Sequence, residues 1–254
     1  MNKEIFKNID DTPSIFSERE LYLLSHDNKG HPYIEKNLSR KQRSVQQFQN
    51  LHLLQGLKRS EKYGLPIIDP VLEINDLRYV SFADRRKYQG SESLCAVHFF
   101  IDDYKFENLL DSKFEKTTFE LCRFGAVFTP DLSIYSDIPT EYKKVIIFKR
   151  QLYGAYWQQK CGLNVIPCVG IPDAELLDYA LDGIPENSVL AFCGIGHRKR
   201  KSARDLWLGG LYETIRRKHP IALIISGDEE RLKGIDIPIT YIPSHIEHLR
   251  KFSR

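Results

Sequence analysis

The sequence has 254 residues and a formal net charge of +3, with 42% hydrophobic and 28% charged side chains, 15 Gly and 12 Pro. Those proportions exclude collagen-like, coiled-coil and broadly disordered chains, which need a strong glycine, heptad or charge bias. No apolar run approaches the roughly 20 residues that cross a bilayer, and Met1 to Asp11 alternates charges without the apolar stretch of a signal peptide. A cytoplasmic protein with no membrane partner is expected.

Residues 1–62 carry 11 basic against 8 acidic side chains. Short apolar patches at Ile15–Phe16 and Leu21–Leu24 are separated from a polar, helix-prone segment, Lys36 to Asn50, by the turn-like stretch Ser25 to Pro32. This pattern predicts an N-terminal basic appendage, helical or irregular. Gly64-Leu65-Pro66 then marks the entry into a main domain over 63–254.

From Tyr63 onward, short apolar runs alternate with longer amphipathic ones. The runs are Tyr79–Phe82, Ala96–Ile101, Ala126–Thr129, Asn164–Val169, Val189–Ile195, Ile221–Ser226 and Ile239–Ile242. Polar residues do not alternate within them, the mark of strands buried on both faces. Tyr104 to Phe124 reads as helix with a break, and Thr140 to Cys161 as one long helix after Pro139. Ser202-Ala203-Arg204-Asp205 has the form of a capping box that opens a further helix. Strand, helix, strand, helix predicts an α/β fold with a mostly parallel sheet built from βαβ units. A doubly wound sheet and a partial barrel both satisfy that pattern, the barrel if Ile67–Glu73 adds strands.

Ligands of parallel α/β folds gather at the C-terminal ends of the strands, where the loops share one edge. Two of those ends are acidic, Asp102-Asp103 after His98 to Ile101, and Asp131 after Val127 to Pro130. Carboxylates from neighbouring strand ends suit Mg²⁺ or Mn²⁺, which prefer oxygen ligands, or supply a general acid and base. Asp102, Asp103 and Asp131 are therefore the candidate catalytic and metal-binding residues. A single Asp is equally well explained as a helix cap.

A second strand end is basic. Gly194-Ile195-Gly196-His197 runs into Arg198-Lys199-Arg200-Lys201 just before the expected helix. Glycines admit a phosphate close to the backbone, and a helix start favours an anion. Gly194, Gly196, Arg198, Lys199, Arg200 and Lys201 are the candidate phosphate-binding residues, with a solvated loop as the alternative. Lys199 stands where the third glycine of G-x-G-x-x-G would be, and no P-loop pattern occurs, so a dinucleotide site is disfavoured. Residues 63–196 carry 13 basic against 19 acidic side chains and residues 197–254 carry 13 against 7, so the cations are concentrated at the end of the chain. The five cysteines form no C-x-x-C pair and read as reduced thiols beside buried strands. Tyr153 and Trp157 have the spacing of a packed helix face, and His245 with His248 that of a solvated terminal helix.

The blocks His98-Phe99-Phe100-Ile101-Asp102-Asp103-Tyr104-Lys105-Phe106-Glu107 and Thr129-Pro130-Asp131-Leu132-Ser133-Ile134-Tyr135 resemble domain-of-unknown-function family 4417 of bacteriophages, plasmids and other mobile elements. Val165-Ile166-Pro167 and Asp182-Gly183-Ile184-Pro185 are similar to further pieces of it. The resemblance covers Tyr63 onward. It departs after Val165-Ile166-Pro167, where the family often has a Trp and this chain has Gly170-Ile171. It implies a mobile-element context, hence a host cytoplasm, and marks Asp102, Asp103 and Asp131 as family features, but it transfers no activity. The functional expectation is action on nucleic acid or a nucleotide phosphate through the acidic strand ends and the basic loop. The alternative is a non-catalytic accessory protein of phage or plasmid replication that binds DNA or a host protein.

Overall fold

The computed structural model describes residues 17–26, 48–74, 76–195, 200–227, 232 and 234–243. The strands are β1 (Arg78–Ser81), β2 (Cys95–His98), β3 (Ala126–Phe128), β4 (Val165–Ile166), β5 (Cys168–Val169), β6 (Val189–Cys193), β7 (Ala222–Ser226) and β8 (Ile239–Ile242). The α-helices are α1 (Glu18–Leu24), α2 (Glu107–Ser112), α3 (Phe114–Leu121), α4 (Thr140–Cys161), α5 (Leu177–Leu181) and α6 (Lys201–Lys218). Each apolar run of the sequence contains a strand. The break expected within Tyr104 to Phe124 falls at Lys113, between α2 and α3.

Two four-stranded ladders, β1-β2-β3-β4 and β5-β6-β7-β8, are parallel throughout. Pro167 separates β4 from β5 because it has no N–H to give to a ladder. Its carbonyl instead accepts from Ala191 N–H at 2.8 Å, while Cys168 N–H turns back to Thr129 Oγ1 at 2.8 Å. One stretch of chain thus pairs with β3 through its first half and with β6 through its second. Spatial order follows chain order from β1 to β8. A doubly wound sheet reverses that order at a switch point, and this one does not. The strand order therefore lacks the reversal of a doubly wound sheet, and the strands that Ile67–Glu73 would add to a barrel do not form.

Side-chain alternation separates the two faces of the sheet. Val169, Leu190, Phe192, Leu223 and Ile225 pack with Leu177, Leu181, Trp207 and Leu211 of α5 and α6. The intervening Val189, Ala191, Ile224 and Ile242 point to the opposite face and join the core of β1–β4. At the ends of β2 and β3 His98 stacks on Phe100 with ring centroids 5.2 Å apart, and Phe100 meets Phe128 edge-on at 5.6 Å.

Helix α4 is the longest element and the scaffold of the site. It stops at Gly162, whose φ of +61° is the left-handed conformation glycine adopts without penalty, and its N–H returns to Gln158 O. Its buried side carries Tyr153 and Trp157, which are core residues as the spacing predicts. The described part of residues 1–62 packs against this layer. Arg19 on α1 donates to the carbonyls of Cys122 and Phe124, both at 2.6 Å, and Asn50 donates to Leu110 O and Tyr153 Oη. Among the described residues no helix is long and apolar enough to cross a membrane.

Helix α6 departs from the sequence expectation. It begins at Lys201, with Arg200 at the cap position in an extended conformation and no side-chain cap hydrogen bond. Ser202 therefore sits inside the first turn instead of ahead of it, and the capping box does not form.

Candidate functional site

The C-terminal ends of β2, β3, β5 and β6 surround a cavity of about 670 Å³. The start of α6 and the first half of α4 complete its wall, through Arg200 and Ser202 and through Lys143 and Arg150. This is the edge at which the fold class holds its ligands.

Asp131 reaches the floor from the end of β3. Its Oδ1 lies 2.9 Å from the guanidinium of Arg150, whose side chain is only 5% exposed. Arg150 also donates to Leu132 O at 2.9 Å and Cys168 O at 3.1 Å, so one guanidinium ties the β3 and β5 strand ends to α4. Burial is the largest single influence and works against its charge, but Asp131 and smaller neighbouring contributions together leave the guanidinium above its ordinary pKa. Gly170 makes the approach possible, since a Cβ there would lie 2.8 Å from an Arg150 nitrogen and 2.9 Å from Ile134 Cδ1.

The adjacent pair Asp102-Asp103 diverges at the entry to a 3-10 turn. Asp102 is 63% exposed, lines the cavity and pairs with Lys105 at 3.0 Å. Although it occupies the cap position of the turn Asp103–Lys105, its side chain caps nothing. Asp103 turns to the β3 loop, where its carboxylate accepts from Ser133 N–H at 3.0 Å and Ser133 Oγ at 3.1 Å. Burial raises its pKa, Ser133 opposes that shift, and the nearby Asp131 charge adds to it. Among the described residues no group of three His, Cys, Asp or Glu side chains is placed to hold a metal ion.

Lys143, only 4% exposed, extends from the first turn of α4, donates to Ser136 O at 3.0 Å and pairs with Asp173. It links the loop after β3 to the loop after β5 across the cavity wall. The thiols of Cys168 and Cys193 are pushed well above the ordinary cysteine range by burial first and by Asp131 next, so both stay protonated at neutral pH.

Of the basic strand end, Gly194, Arg200 and Lys201 are described. Arg200 lines the cavity, Lys201 is exposed as the first residue of α6, and Gly194 N–H is committed to Ser226 O at 2.8 Å. Gly196, Arg198 and Lys199 lie outside the described residues, as do His245 and His248. Sequence reasoning missed Lys143, Arg150, Ser133 and Asp173. A signal was present for the first two. Lys143, Ile147, Arg150, Gly154, Trp157 and Cys161 recur at alternating intervals of four and three along one helix face, so two cations occupy core positions of an otherwise apolar stripe.

Two all-parallel ladders with interleaved helices and a strand-end cavity define an α/β protein. Within that class the chain belongs to the family described as Domain of unknown function (DUF4417), which matches residues 57–242. It is 30% identical over 208 residues to the Gene 1 protein of Mycobacterium phage L5, a match spanning 81% of this chain and 89% of that protein. Over 207 residues it is 30% identical to the Gene 1 protein of Mycobacterium phage D29, spanning 80% of this chain and 75% of that one. No solved structure matches the chain. The similarity to phage proteins agrees with the mobile-element context that the sequence resemblance implied.

Proposed function

We propose that the chain binds a phosphate-bearing ligand in the strand-end cavity and acts on it with the carboxylates at the ends of β2 and β3. The observation that carries this reading is the convergence on one cavity of the uncapped start of α6 and Arg200, beside Lys143 and Arg150, whose charges are matched by Asp173 and Asp131. The first N–H groups of a helix have no intrahelical acceptor, and the helix dipole adds partial positive charge at that end. Together they favour an anion. Arg200 extends that preference into the cavity, and the exposed Lys201 follows it.

Asp102 and Asp131 both line the cavity. Mg²⁺ or Mn²⁺ is commonly held by one or two carboxylates together with phosphate oxygens, without a complete protein cage. In this reading the ion enters with the ligand, Asp102 being the more accessible of the two carboxylates. Asp131 is already neutralised by Arg150 and chiefly fixes the floor. The ion's contribution is to offset charge on the phosphate oxygens.

Calorimetric titration of the full chain with pyrophosphate at low salt tests the reading. Binding is expected to strengthen with Mg²⁺ or Mn²⁺, and Arg200→Ala to weaken it about tenfold, the loss of one charge-assisted contact. Asp102→Asn is expected to remove the metal enhancement. Absence of any binding by pyrophosphate or nucleotides, with or without metal, refutes the proposal.

A further inference from the structure

The cavity is far larger than a phosphate group, and most of the wall away from the cations is apolar. Sites of roughly 300 to 1,000 Å³ enclose a whole small-molecule ligand, and this one has about 670 Å³. Three large hydrophobic side chains lining it remain open to solvent, Tyr135 at 60%, Leu206 at 38% and Ile195 at 37% exposure. They come from three separate elements: the loop after β3, the second turn of α6 and the end of β6.

Ile195 is held in place from behind. Gly227 has a φ of +95°, and a Cβ there would approach Ile195 Cγ1 to 2.7 Å. Leu206 lies one helical turn beyond Ser202 and Ala203, which line the same cavity beside the α6 start. The apolar wall and the cationic end are therefore adjacent, joined by the first two turns of α6. Below them Ser226, cross-strand partner of Cys193 and on the same sheet face, has a fully buried Oγ with no hydrogen-bond partner. Of this pair Cys193 lines the cavity and Ser226 does not.

We infer that the ligand is a mononucleotide, its phosphate at the start of α6 and its base against Tyr135, Ile195 and Leu206. This inference rests on the phosphate reading above and adds the flat ring to it. Aromatic and branched apolar side chains accept any base through its π-face, and a stacked base gives its affinity without needing a dedicated hydrogen-bond pattern. A long nucleic acid would be expected to follow an open charged groove. Here the apolar surface is gathered around one cavity of about 670 Å³ that is open on one side.

The test compares the four nucleoside 5′-monophosphates, ribose 5-phosphate and an eight-nucleotide single-stranded DNA, titrated into the full chain at one salt concentration. At least one mononucleotide is expected to bind roughly 5- to 150-fold more tightly than ribose 5-phosphate, the effect of one stacked base. Tyr135→Ala, at an exposed position, is expected to remove most of that difference. If all four mononucleotides bind no better than ribose 5-phosphate, the ring inference is overturned while the phosphate reading stands. If neither they nor ribose 5-phosphate bind, both fall. If the DNA binds more tightly than every mononucleotide, with an affinity that drops steeply in salt, the occupant is nucleic acid and the mononucleotide inference is wrong.

Discussion

Asp131→Asn tests the buried ion pair on which the floor of the cavity depends. The substitution keeps the side chain's size and one acceptor oxygen but removes the charge that lies 2.9 Å from Arg150. Breaking a buried pair by removing one charge costs about 3 to 5 kcal/mol, because the remaining charge is left uncompensated in a poorly solvated place. Arg150 keeps two carbonyl acceptors, Leu132 O and Cys168 O, and Asp131 is 16% exposed. The lower end, about 3 kcal/mol, is therefore expected. For a chain of this size that corresponds to a fall of roughly 6 to 12 °C in Tm. Urea unfolding followed by tryptophan fluorescence measures it directly, since Trp157 and Trp207 are both buried. Replacing the pair by uncharged side chains, Asp131→Asn with Arg150→Met, is expected to recover much of the loss, because no buried charge remains unpaired. A single variant that loses less than about 1 kcal/mol, in the range of an ordinary surface change, refutes the argument.

Gly170→Ala is expected to destabilise by about 1 to 3 kcal/mol, the cost of overpacking, since the added methyl would press on both Arg150 and Ile134; unchanged urea midpoints would show that the β5 loop yields freely. Asp103 gives a pH test. Its carboxyl pKa is raised in the folded chain, chiefly by burial, so the folded state holds that proton more tightly than the unfolded chain. The parent should lose stability relative to Asp103→Asn as pH rises from the ordinary carboxylate pKa through the raised one. Urea midpoints of both proteins between about pH 3.5 and pH 6.5 check the sign, and a difference that is flat or moves the other way would mean that Ser133 prevails over burial.

The strands were legible because fully buried parallel strands produce uninterrupted apolar runs, and Thr140 to Cys161 because its periodicity is sustained over the whole helix. Strand order was not. An apolar run states that it is buried without stating beside what, and the sequential order depends on long-range pairings such as Ala191 with Pro167. The α6 start was misplaced for a local reason. Ser202 has the residue type of a cap, yet the chain remains extended only through Arg200, and that backbone conformation fixes where the helix begins.

The site was legible as an edge but not as a set of partners. Asp102, Asp103 and Asp131 do stand at strand ends, but their environments diverge: one faces solvent beside Lys105, one faces Ser133, and one is neutralised by Arg150. Carboxylates alone therefore gave an incomplete account of the cavity's charge. The missing cations lay in a helix, where a Lys or Arg is ordinarily solvated and arouses no suspicion. What distinguishes Lys143 and Arg150 is phase. Both fall on the face that also carries Ile147, Gly154, Trp157 and Cys161, and a charge in that position must find a partner on the strand ends it faces. Arg150 finds Asp131, and Lys143 finds Asp173. The same helix face that packs the core at its C-terminal half thus becomes the polar wall of the cavity at its N-terminal half. That change of character along one stripe is what lets a packed α/β layer end in a polar-walled cavity at the strand ends.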